Sequence, residues 1–198
     1  MGILNRIVQS TAPWMPKIVI GRIASVYVAG DKLEDGIDLV RKLNKKGFVG
    51  TLDLLGEEVK NRRGITKTTN SYCDLIDGIA NSGVDCNISL KLTAIGLKVD
   101  ESLCWDNLSV ILDKAKMYNT FVRMDMEDSE VTESTIKMCK KAVNYYPNCG
   151  TVLQAYMYRT SDDIDLLKGP NTNIRLCKGA YKESKDIAIQ DYNKIREN

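Results

Sequence analysis

Five short apolar runs separated by helical patterns constrain this chain more than any other feature. The runs are Phe48 to Leu55, Asn87 to Thr93, Phe121 to Glu127, Thr151 to Tyr156 and Asn173 to Lys178. Between them, apolar residues recur at helical spacing. Tyr72, Leu75, Ile76 and Ile79 do so within 68–81, and Leu103, Leu108, Ile111, Leu112 and Ala115 within 101–118. Further helices are predicted over 132–146 and, briefly, over 162–168. Strand and helix in strict alternation mean a parallel sheet, because parallel neighbours need a crossover between them. Ahead of the first run a helix is predicted from Asp31, with Asp31 and Glu34 at capping-box spacing and Gly47 beyond its end. A polar helical stretch from Ser184 to Glu197 is predicted to close the chain.

Parity along the strands separates an open sheet from a barrel. Central strands of an open doubly wound sheet are buried on both faces and read as continuous apolar runs. Here one parity is polar. Ser89 and Lys91 alternate with Ile88, Leu90 and Leu92, while Arg123, Asp125 and Glu127 alternate with Val122, Met124 and Met126. Gln154 and Tyr156 share a face with Val152, and Arg175 shares one with Cys177. An apolar face toward helices and a polar face toward a common interior predict the lumen of a (β/α)8-type barrel. The polar groups crowd toward strand C-terminal ends, where such barrels hold their active sites.

Length limits how much of that barrel is present. A complete one takes about 250 residues, whereas this chain has 198 and about five strand candidates. The expectation is an α/β chain with an incomplete barrel over 47–198 and an N-terminal helical arm over 1–46. The arm takes in Ile18 to Ile20 and Ala24 to Val28. Open sheet edges are a liability for a lone chain, so a truncated product or fragment with little independent turnover is expected.

Composition removes several classes of chemistry. The absence of histidine excludes His-based triads and the usual zinc sites. Six cysteines without a C-x-x-C pair read as free thiols in a reducing compartment. A net charge of +2 without a basic run gives no footprint for nucleic acid. No stretch approaches the ~20 apolar residues of a membrane span, and no signal-peptide core opens the chain. A cytoplasmic protein is expected.

Five segments end the strands: Leu52-Asp-Leu-Leu-Gly-Glu57, Ser89-Leu-Lys-Leu-Thr-Ala-Ile-Gly96, Arg123-Met-Asp-Met-Glu-Asp-Ser129, Leu153-Gln-Ala-Tyr156 with Arg159, and Arg175-Leu-Cys-Lys-Gly-Ala-Tyr181. In this order they resemble the proline dehydrogenase family, and Tyr27-Val-Ala-Gly-Asp-Lys-Leu-Glu34 is similar to its bacterial single-function branch. The resemblance implies an FAD enzyme that oxidises L-proline to 1-pyrroline-5-carboxylate and passes electrons to a quinone. Contact with the inner membrane, peripheral only, would go with such an acceptor.

The resemblance also implies site roles. Lys91 pairs with the substrate carboxylate and Tyr181 walls the proline pocket. Asp125 organises the basic groups, and Arg175 stands beside flavin N5. Met126 contacts the flavin through its backbone, Gln154 hydrogen-bonds the isoalloxazine edge, and Lys178, Gly179 and Ala180 form a loop along the FAD. Glu57 is a gate residue. The family's two adjacent arginines on a last helix have no match here, because Arg62 and Arg63 follow the first strand instead. Read from the residues alone, Lys91 has one other place, paired with an acid on a neighbouring strand. A non-catalytic assembly partner and a Schiff-base lyase using Lys91 are the competing functions.

Overall fold

The computed structural model describes residues 28–169 and 172–198. In chain order the elements are α1 (Leu33–Asn44), β1 (Gly50–Leu52), α2 (Arg62–Ser82), β2 (Cys86–Leu90), α3 (Glu101–Tyr118), β3 (Val122–Met124), α4 (Thr132–Tyr145), β4 (Cys149–Gln154), α5 (Thr160–Leu167), β5 (Asn173–Cys177) and α6 (Tyr192–Glu197). A 3-10 turn at Leu92–Ile95 follows β2. The five strands pair in parallel in the order β1-β2-β3-β4-β5, and one isolated antiparallel bridge joins Met157 to Ala188. The sheet curls into a half-barrel, as the strand parity predicts.

The core lies between one sheet face and the helices. Ile88, Leu90, Val122 and Met124 pack with Ile76 of α2, Leu108, Ile111 and Leu112 of α3, and Ile136 and Cys139 of α4. These residues are buried, so the apolar parity supplies the stabilising contact between layers. Helix ends follow local chemistry. Asn61 caps α2 by accepting from the Gly64 N–H at 2.7 Å, and Gly83 ends it at φ 64°. Asp100 caps α3 through the Leu103 N–H at 2.7 Å, and Asn119 ends it in the left-handed region.

Several expected boundaries move. Helix α2 starts at Arg62, six residues before the predicted 68, because Asn61 and not the apolar periodicity sets its origin. At α1 the N-cap is Lys32, whose N–H is taken by Asp35 at 3.2 Å, so Asp31 and Glu34 do not form the box. Strand β1 keeps three residues of the run at 48–55, and Phe48, Val49 and Leu55 are exposed. The predicted helix from Ser184 shrinks to α6. The backbone before it is engaged elsewhere: Ile187 O accepts from the Tyr158 N–H at 3.2 Å, and the Ile189 N–H donates to Tyr156 O at 2.7 Å. Of the expected N-terminal arm, α1 is described and packs on β1 and α2. Ile18 to Ile20 and Ala24 to Tyr27 lie outside the described residues.

Candidate active site

Register sets the charged residues in rows on the concave face. Ser89, Arg123, Gly150 and Asn173 are successive partners across β2 to β5. Two residues on, the same parity carries Lys91 and Asp125, just past β2 and β3, and Val152 and Arg175, inside β4 and β5 and in register. Two ion pairs tie this row. Lys91 Nζ lies 2.7 Å from Asp53 Oδ2, just past β1, and Arg175 Nη2 lies 2.7 Å from Asp125 Oδ1. The Tyr72 hydroxyl donates to the other oxygen of Asp53 at 2.8 Å. Burial pulls the Lys91 ammonium toward neutrality. Its hydrogen bond to Asp53, with the charges of Asp53, Asp125 and Glu57, overcomes that and holds it above the usual amine range.

Below this row Arg123 crosses the side-chain-free Gly150 and donates to the carbonyls of Thr151 at 3.0 Å and Asn173 at 3.3 Å. Burial, and then the charge of Arg175, lowers the Arg123 pKa from the usual guanidinium value. Ser89 Oγ is buried on the same face without a hydrogen-bond partner among the described residues. Such an orphan inside a polar lumen is a site for a ligand atom or a water.

The loops above are cross-braced. Gln154 is buried, and its amide is engaged at both ends: Nε2 donates to Glu127 O at 3.0 Å, and Oε1 accepts from the Ala180 N–H at 2.9 Å. One amide N–H remains over. Glu127 turns away from the lumen row. One carboxylate oxygen accepts from the Thr93 N–H at 3.0 Å and the other from the Thr93 hydroxyl. Burial raises its pKa against those hydrogen bonds. The Tyr181 hydroxyl donates to Glu57 Oε2 at 2.9 Å, bridging the last and first loops. Burial, then Glu57, raises the Tyr181 pKa. Gly179 has φ 136° and lies against the Tyr156 ring, which a Cβ there would meet at 2.4 Å.

Of the residues singled out in the sequence, Lys91, Asp125 and Arg175 come together on the concave face, and Glu57 joins Tyr181. Gln154 and Ala180 bond each other. Lys178 turns to the Tyr192 hydroxyl and ring on α6, and the Met126 side chain is in the core. Asp53, Tyr72 and Ser89 had no site role assigned from the sequence, although Ser89 already stood on the polar parity with Lys91. Asp53 had a legible signal, an acid at the end of β1. Tyr72 looked like one more apolar helix position.

The proline dehydrogenase family model matches residues 37–194. The chain belongs to the proline dehydrogenase family. Proline dehydrogenase 1 of Bacillus subtilis (strain 168) is 38% identical over 165 residues, covering 83% of this chain and 55% of that protein. Proline dehydrogenase of Deinococcus radiodurans is 34% identical over 181 residues, covering 89% of this chain and 58% of that protein. The chain therefore spans little more than half the length of these relatives. In three dimensions it is similar to proline utilization A from Bdellovibrio bacteriovorus inactivated by N-propargylglycine. The TM-score is 0.72 at 21% identity, covering 80% of this chain and 20% of that one. That likeness establishes the fold, the barrel of the proline dehydrogenase family.

Proposed function

We propose that this chain carries the front part of a proline dehydrogenase site, in which FAD-dependent oxidation of L-proline yields 1-pyrroline-5-carboxylate and electrons pass to a quinone. One observation carries the reading. Lys91, just past β2, and Arg175, inside β5, stand on one concave face, each held by a carboxylate and each retaining N–H donors. That arrangement suits an anionic substrate beside an electron-rich ring. The orphaned Ser89 Oγ supports a ligand over this floor, so the residues present fit the family's cofactor and substrate.

FAD, when bound, supplies hydride acceptance from the proline ring and the onward transfer of electrons. The chain's own residues would bind and orient. Lys91 takes the proline carboxylate with N–H groups that Asp53 leaves free. Asp125 aims the planar Arg175 guanidinium, a fixed cation for charge that accumulates on a reduced flavin. Gln154 offers its spare N–H, the Met126 backbone lines the ring, and Lys178, Gly179 and Ala180 border the cofactor. Tyr181 walls the pocket and Glu57 gates it. Among the described residues no helix is long and apolar enough to cross a membrane. In this reading a lipid-borne quinone is met peripherally, by a protein otherwise in the cytoplasm.

Flavin retention and ligand response test this. The purified chain is expected to hold FAD through gel filtration, and L-proline is expected to perturb its visible spectrum. Arg175→Ala should lose both. Its pair with Asp125 is half exposed at the arginine, 47%, so the melt should shift by no more than about 1 kcal/mol of stability. A folded chain that leaves FAD unbound, or whose flavin ignores both L-proline and Arg175→Ala, refutes the reading.

A further inference from the structure

One hydrogen bond reaches from an outer helix into the lumen. Tyr72 lies on α2 with 0% exposure, among apolar neighbours. Phenylalanine would fill that position equally well, yet a hydroxyl is present and points at the strand ends. It donates to Asp53 Oδ1 at 2.8 Å, while Asp53 Oδ2 takes Lys91 Nζ at 2.7 Å. A carboxylate turns readily about its last torsion. Partners on different oxygens fix its plane. Lysine is a point charge on a flexible four-carbon stem, so its place in the lumen depends on the anion that holds it. Asp53 is the only hydrogen-bond acceptor that Lys91 Nζ meets among the described residues, which leaves two of its three N–H groups free.

We propose that Tyr72 is a positioning residue, which acts through Asp53 to hold the Lys91 ammonium at the lumen mouth with two N–H groups available to a ligand carboxylate. The inference rests on the reading of Lys91 as the carboxylate-binding cation. The bland explanation is that Asp53 merely satisfies a buried phenol. The two differ in what happens at Lys91, one residue beyond the direct contact.

Competitive trace acetylation of the full chain, read by peptide mass spectrometry, separates them. Lys42, exposed on α1, is the reference. Lys114, paired with Asp77 of α2 at 2.9 Å, reports loosening of that helix as a whole. Wild-type Lys91 should label more slowly than Lys42. Tyr72→Phe should raise the Lys91 rate about threefold or more, part of the roughly tenfold that a hydrogen bond to a charged group is worth because the loss reaches Lys91 only through Asp53, with Lys114 unchanged. Asp53→Asn should raise it at least as much. A Tyr72→Phe chain that labels Lys91 at the wild-type rate overturns the proposal, as does an equal rise at Lys114. Where Tyr72→Phe fails to melt cooperatively, Asp53→Asn decides, and unchanged labelling there overturns it too. L-proline added to the wild type addresses the function separately. Absence of protection at Lys91 counts against proline at that lysine, while raised labelling in Tyr72→Phe still upholds the positioning role.

Discussion

Replacing Gly179 by alanine should loosen the loop that joins β5 to the rest of the mouth. At φ 136° only glycine is comfortable, and a side chain there costs about 1–3 kcal/mol in strain. The added Cβ would sit 2.4 Å from two ring carbons of Tyr156, against about 3.5–4.0 Å for ordinary carbon contact. The ring is poorly placed to give way. Tyr156 is 7% exposed, and its backbone is fixed on both sides: the N–H donates to Lys178 O at 2.9 Å, and the carbonyl accepts from the Ile189 N–H at 2.7 Å. Overpacking adds about 1–3 kcal/mol. The sum, about 2–6 kcal/mol, is an upper bound, since the loop can peel away and lose the Ala180 bond to Gln154 instead. For a chain of this size each kcal/mol moves Tm by about 2–4 °C, so even the low end of that range, about 2 kcal/mol, should lower the Tm of Gly179→Ala by about 4–8 °C. Hydrogen exchange at the Ala180 and Tyr156 amides should accelerate as well. A variant that melts within about 2 °C of wild type, with both amides still protected, would refute the reasoning.

Asn61→Ala removes the cap of α2 and should cost about 1 kcal/mol, read as a lower midpoint in urea with an unchanged slope. An unchanged midpoint would mean that Asn61 does not set the helix start. Glu127 gives a pH signature. Its folded pKa is raised by burial, so its favourable contribution is complete below about pH 4.3, the usual glutamate value, and falls as pH rises through the folded value. Glu127→Gln does not titrate. Its stability relative to wild type should therefore improve from acid toward neutral pH, and parallel stability curves for the two proteins would contradict this.

The barrel was legible because its two faces differ so sharply. Ile88 and Leu90 on one parity, and Ser89 and Lys91 on the other, could not belong to a sheet buried on both sides. The span of α3 was legible to the residue, since a clean apolar period ends on Asn119. The first turns of α2 were not, because Arg62 to Lys67 carries only Ile65 as an apolar mark. At the site, the charged row followed from parity, but its pairings did not. The choice of Asp53 for Lys91 and Asp125 for Arg175 depends on sheet curl and register, which a linear pattern does not contain. The resemblance put Gln154 and Lys178 against a cofactor. The structure gives both of them protein partners, through loop contacts 26 and 14 residues away.

The in-order sheet has a consequence for the chain as it leaves the ribosome. Each strand docks on the one made just before it, so every newly synthesised unit finds its neighbour already waiting. Lys91 meets Asp53 after 38 residues, as soon as β2 is laid down. Asp125 stays without its arginine for 50 residues, until β5 arrives. The charged row is thus completed from the β1 side to the β5 side, and the cation read as flanking the flavin is the last of its members to take its place.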